Sequence, residues 1–196
     1  MLESRRHQRV RFNRQPIIKI GYGGEVAHGF IENISLAGLM LRTGLALEVG
    51  RRFGCEFSLF ESPLIDVAAI TASRVGDLFG ARFEAGPLSQ ILLDDAIERA
   101  IADGNAAILT THEINGRRIM RISGGLTGSL RNDFMHSLTR VGVAEIDVSA
   151  VTAVDQAGLA LCLAAASRHG VRIGNQSDCF ARHWAEARRQ PGGVGT

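Results

Sequence analysis

Through most of the first half of the chain, apolar and polar residues alternate. Residues 52–60 put Phe53, Cys55, Phe57 and Leu59 on one side of an extended segment, the period-two pattern of a half-buried strand. Residues 26–34 and 39–43 predict two more strands. Residues 67–74 and 79–83 predict a hairpin that turns at Gly76-Asp77. Upstream, Val10, Phe12, Ile17, Ile18 and Ile20 mark a strand over residues 9–20. Pro16 interrupts it, as proline does at an edge or a bulge. Gly21-Tyr22-Gly23-Gly24 predicts a turn. Several short strands joined by Gly-rich turns predict a small barrel.

The period then changes. Ile91, Leu92, Leu93, Ala96, Ile97, Ala100 and Ile101 recur at helical spacing, predicting a helix over 88–102 that closes at Gly104-Asn105. Strands are predicted over 106–111, 118–123, 144–148 and 171–173. Between them, Leu126, Leu130, Phe134 and Leu138 form the apolar stripe of one helix. Residues 157–167 are nearly all apolar, predicting a buried helix ended by Gly170. Ser177 is placed to cap a last helix carrying Phe180 and Trp184. Strands alternating with helices predict a partly parallel sheet. The expected organisation is a β-rich domain over 1–102, an α/β domain over 103–190 and a loose tail over 191–196.

Composition adds limits. The 196 residues carry 22 basic and 20 acidic side chains, a net charge of +2, too small for a protein that coats nucleic acid. The distribution matters more. Arg5, Arg6, Arg9, Arg11 and Arg14 crowd the first fourteen residues, with Glu3 as the single acid. Such an arm attracts phosphates, although basic arms are also often simply solvated. Cys55, Cys162 and Cys179 are odd in number and far apart. They form neither a disulfide framework nor a zinc spacing, and fit a reducing cytoplasm. The N-terminus lacks an apolar signal-peptide core, and the longest apolar run, residues 157–166, is too short to span a bilayer. Membrane insertion is not expected.

Catalytic patterns do not assemble. Gly21-Tyr22-Gly23 precedes β-type sequence, whereas a dinucleotide fingerprint must open a helix. Gly124-Gly125-Leu126-Thr127-Gly128 lacks the Lys-Ser/Thr of a phosphate loop. Asp147 and Asp155 are eight residues and a turn apart, and the six histidines are scattered without metal-ligand spacing. The sequence predicts no catalytic residue, no metal site and no cofactor.

Two short motifs remain. Arg5-Arg6-His7-Gln8-Arg9 is an RxxxR just before the first predicted strand. Asn33-Ile34-Ser35-Leu36-Ala37-Gly38 is an NxSxxG at the end of the second. In that order, each beside its strand, they resemble the two signatures of the PilZ domain family. Gly80-Ala81-Arg82-Phe83 and the helix from Leu88 also match the family layout, so the resemblance covers residues 1–102. It implies a six-stranded barrel with a C-terminal helix that binds the dinucleotide cyclic di-GMP, with Arg5, Arg6, Arg9, Asn33, Ser35 and Gly38 as the binding residues. Outputs in motility or biofilm formation are implied by the resemblance alone. The chemistry agrees. A guanidinium fork matches phosphate oxygens or the O6/N7 edge of guanine, and Asn33 and Ser35 offer short polar groups. Gly38 permits either a left-handed backbone or the close approach of a ligand. Asn, Ser and Gly are also ordinary turn residues.

Residues 106–190 are similar, more loosely, to STAS domains. The likeness rests on the strand leading to Gly124-Gly125 and on Asp147-Val148-Ser149 running to Asp155-Gln156-Ala157-Gly158. The family's phosphorylated Ser corresponds to Gln156, which carries no hydroxyl, so Asp155 is left a helix-capping role. The combined resemblance implies an α+β two-domain protein: a PilZ-type barrel followed by a small STAS-like α/β domain that meets a protein partner. An interaction scaffold that has lost nucleotide binding is the alternative.

Overall fold

The computed structural model describes residues 8–189. Arg5, Arg6 and the tail at 191–196 lie outside the described residues. The chain divides into two compact units, one covering the described residues through Ala100 and the other those from Ile101 onward.

The first unit contains β1 (Val10–Phe12), β2 (Ile17–Tyr22), β3 (Glu25–Ser35), β4 (Gly38–Thr43), β5 (Arg52–Phe57), β6 (Ile65–Val75) and β7 (Leu78–Glu84). β2 pairs with β3 and β5, β6 with β5 and β7, and β4 with β7 and β3, all antiparallel. The circuit closes into the expected six-stranded barrel and leaves no edge in the ring. Its interior follows from the alternation. Ile18, Ile20, Ile31, Leu41, Phe53, Phe57, Ile65 and Phe79 are all buried, and each such burial contributes about 1.5–3 kcal/mol.

The strand expected over 9–20 is two strands. β1 pairs with β3 at Val10↔Ile34 and Arg11↔Asn33, while β2 pairs with β3 from Phe30 back to Glu25. β4 occupies the other side of β3, so β1 continues along the side that β2 leaves. Pro16 ends the gap between them, and its carbonyl accepts from Ile31 N (2.9 Å). The turn after β2 is tighter than the four-residue cluster suggested. Tyr22 pairs with Glu25, and Gly23 (φ +60°) and Gly24 (φ +84°) form the two-residue hairpin loop that requires positive φ at both positions. The strand expected to reach residue 60 stops at Phe57. Helix α1 (Pro87–Ala102) buries Leu93, Ala96, Ile97 and Ala100 on one stripe.

In the second unit, β8 (Ala106–Ile114) and β9 (Arg117–Leu126) form an antiparallel hairpin. β9, β10 (Glu145–Val154) and β11 (Arg172–Gln176) run parallel, in the order β11-β10-β9-β8. Leu126 ends β9 instead of starting a helix. The helical stretch after it is composite: a 3-10 turn (Gly128–Leu130), α2 (Arg131–His136) and a π-turn (Ser137–Val141). Leu130, Phe134 and Leu138 still form its buried stripe, packed with Met120, Ile122, Ile146 and Val148. Helix α3 (Gln156–His169) buries only Gly158, Cys162 and Ala165, so the expectation of a fully buried helix is corrected. Its alanines are small, and several face solvent. Ser177 Oγ accepts from Phe180 N (3.2 Å) at the start of α4 (Asp178–Arg189), as expected, and Phe180 stacks on Trp184.

Asp155 caps α3, its Oδ1 accepting from Gly158 N at 2.6 Å, and its Oδ2 accepts from Gly128 N at 3.2 Å. One carboxylate therefore joins two helix starts. Gly158 is required there, because a Cβ would collide with the Leu126 carbonyl. Asp147 is structural too. Burial works to raise its pKa, but hydrogen bonds from Ser149 and Asn175 and the charge of Arg121 outweigh burial and hold it below the usual carboxylate range. No helix among the described residues is long and apolar enough to cross a membrane.

Candidate functional site

Two irregularities in the barrel create the site. The β3–β4 register shifts between Ile31 and Asn33, and the β6–β7 register shifts between Thr71 and Ser73. A β-bulge inserts one residue and re-aims the side chains beyond it. Without the first bulge, Asn33 would share the inward face of Ile31. Without the second, Ser73 would share that of Thr71. With both in place, Asn33 and Ser73 sit on the outer face. Pairing then lays out two rows across four strands. One runs Asn33–Met40–Gly80–Ser73, and the next runs Ser35–Gly38–Arg82–Ile70.

All of these residues but Ile70 line a cavity of about 290 Å³ that Arg9 also borders. Asn33 is only 3% exposed, and its Nδ2 has no hydrogen-bond partner. A buried amide donor left in this way costs about 1–3 kcal/mol. Ser35 Oγ donates to the Gly38 carbonyl (3.2 Å) and closes the β3–β4 turn, while Phe83 N donates to the Ala37 carbonyl (3.0 Å) and fastens that turn to β7. The polar groups therefore stand on a rigid end of the barrel. Glu32, beside the bulge, is turned away and bound to Arg42, which Asp77 also holds. The hydrogen bond to Glu32, followed by that to Asp77, raises the Arg42 pKa above its ordinary value.

Of the residues singled out from the sequence, Arg9, Asn33, Ser35 and Gly38 meet at this cavity, and Arg5 and Arg6 lie outside the described residues. Gly38 has a different reason for being glycine from the left-handed turn considered above. Its φ is not positive, and a Cβ would strike the Ala81 carbonyl of β7. The close approach is made by a neighbouring strand. Met40, Ser73, Gly80 and Arg82 also line the cavity and were not singled out. Met40 follows the second motif by two residues, while Ser73, Gly80 and Arg82 are far from both motifs in sequence and only the strand pairing brings them in. A larger open notch of about 560 Å³, lined by Gly21, Val26, Gly54 and Ala68 among others, contains none of the motif residues. Among the described residues, no group of three or more His, Cys, Asp or Glu is arranged to hold a metal ion.

A family model described as the PilZ domain matches residues 3–102. Solved structures similar to the chain include the inhibitor of motility MotI/DgrA of Bacillus subtilis, at 19% identity and a TM-score of 0.41 over 50% of this chain and 52% of that one. The PilZ domain of YcgR from Escherichia coli with c-di-GMP is 17% identical, with a TM-score of 0.42 over 50% and 93% of the two chains. The K. pneumonia MrkH–c-di-GMP complex is 17% identical, with a TM-score of 0.47 over 53% and 54%. The aligned part thus spans about half the length of MotI/DgrA and of MrkH. No curated protein matches the chain. The family match extends over half of the sequence, on the residues that build the six-stranded barrel, and the chain belongs to the PilZ domain family.

Proposed function

We propose that this protein is a receptor for cyclic di-GMP. In this reading the barrel domain, residues 1–102, holds the dinucleotide between the arginine arm (Arg5, Arg6 and Arg9) and the polar end of β3 (Asn33, Ser35 and Gly38). One observation carries the assignment: the buried Asn33 amide has an unmet donor at a cavity that Arg9, Ser35 and Gly38 also line. A guanine edge or a phosphate oxygen supplies the missing acceptor, and arginine forks suit both. Membership of the PilZ family supports the ligand class.

The second domain, residues 103–190, is read as a STAS-like output module for a protein partner. Its antiparallel hairpin continued by parallel strands, and the Asp155 cap at the start of α3, support that reading. Gln156 follows the cap and offers no hydroxyl for phosphorylation, so regulation comes from the nucleotide. The protein is read as non-enzymatic and cytoplasmic, and its three free cysteines suit a reducing compartment.

Isothermal titration of the full chain with cyclic di-GMP, GTP and cyclic GMP tests the proposal. Saturable binding of cyclic di-GMP alone is expected, and Arg9→Ala should lose about 2 kcal/mol of binding free energy. Wild-type affinity in Arg9→Ala would remove the arm from the site. No binding of cyclic di-GMP well above micromolar concentration would leave the interaction scaffold as the better reading.

A further inference from the structure

We propose that Arg82, on β7, is a further ligand-binding residue that takes a phosphodiester of the dinucleotide from the barrel wall. The inference rests on the receptor reading above and adds to it a contact that neither sequence motif contains.

Arg82 stands on the outer face of β7, in register with Gly38. Gly80, two residues earlier on the same face, borders the cavity as well. The Arg82 stem therefore lies along the cavity wall. The charge pattern points the same way. Lys19, Arg42, Arg51 and Arg52 on this barrel are each paired with a carboxylate. Arg82 is exposed and has no acidic partner among the described residues. The cavity lining contains two cations, Arg9 and Arg82, and no Asp or Glu. A cyclic dinucleotide carries two phosphodiester charges, so the lining matches it in sign and number. Arg82 is also built into a regular strand pair, so its backbone is in place before the ligand arrives, and pre-organisation of this kind improves affinity.

Arg82→Met removes the charge and keeps the stem, while Arg82→Lys keeps the charge and loses the fork. Because the side chain is exposed and unpaired, both variants should melt with the wild type. Cyclic di-GMP is titrated into the full chain at low and at raised NaCl. Arg82→Met should bind at least tenfold more weakly, with a flatter salt dependence than the wild type. Arg82→Lys should fall between the two. A purely structural role would not produce the change in salt dependence or the graded rescue by Lys. If the wild type binds and Arg82→Met binds within twofold of it at both salt concentrations, this inference fails and the receptor reading stands. If the wild type does not bind, both fail together.

Discussion

Asn33→Leu separates the cost of the site to the empty protein from its value to the ligand. Asn33 is 3% exposed and its Nδ2 is unpartnered. Leaving such a donor buried costs about 1–3 kcal/mol, and an apolar group of the same shape relieves it. Leu repeats the branching of Asn but is bulkier, and the cavity beside Asn33 takes up the extra volume, so overpacking should remain small. A net gain of about 1 kcal/mol in the empty protein is expected. For a barrel of this size that is roughly 4–8 °C in melting temperature. The ligand effect should run the other way. Loss of the base or phosphate contact should weaken binding about tenfold, or about 1.4 kcal/mol. Cyclic di-GMP at about one hundred times the wild-type Kd stabilises the wild type by about 2.7 kcal/mol. At the same concentration, the tenfold weaker variant gains only about 1.4 kcal/mol by the same relation. Thermal unfolding with and without ligand reads both effects from one pair of curves. A variant that melts several degrees below wild type when empty, yet shows the full ligand shift, would refute the reasoning. It would mean that the Asn33 amide is satisfied in solution and serves the barrel.

Asp155→Ala should cost about 1–2 kcal/mol in chemical denaturation of the second unit, because the carboxylate accepts from both Gly158 N and Gly128 N; a loss within a few tenths of a kcal/mol would show that neither bond matters. Burial pushes the thiols of Cys55 and Cys162 up to about 12, with the charge of Asp66 adding to the effect at Cys55. In the native protein only Cys179 should react with a thiol reagent near pH 8. The folded pKa values exceed those of the unfolded thiols, so this contribution to stability is complete below about pH 9 and falls as pH rises towards 12. Denaturant melts across that range should show progressive loss, and the double Cys55→Ser, Cys162→Ser variant should show a smaller slope.

Much of the second unit was readable from side-chain types, with three instructive failures. Leu126, Leu130, Phe134 and Leu138 do share one side of the unit's core, so the four-residue spacing correctly reported burial. It did not report helix type, because a strand end, a 3-10 turn, an α-turn and a π-turn can align the same four side chains. Residues 157–167 misled for a related reason. Alanine counts as apolar but offers little area to bury, so α3 satisfies its packing with Gly158, Cys162 and Ala165. Asn115-Gly116, the dipeptide that most favours a two-residue hairpin, was passed over and forms that turn between Ile114 and Arg117.

In the barrel the strands were legible because alternation is a direct consequence of the pleat. The cavity was not, because it depends on two places where alternation breaks. Counting by twos from Ile31 puts Asn33 and Ser35 in the core, and counting by twos from Thr71 does the same to Ser73. Each count is reversed by one inserted residue, and neither insertion leaves a mark in composition or periodicity that a strand of mixed residues would not show. The NxSxxG pattern therefore names residue types without saying which way they face. The bulge near Glu32 turns Asn33 outward, and the bulge near Ala72 brings Ser73 to meet it across Met40 and Gly80. A chain with the same motif and an unbroken β3 ladder would direct that amide into the barrel core, and the motif alone would not distinguish it from this one.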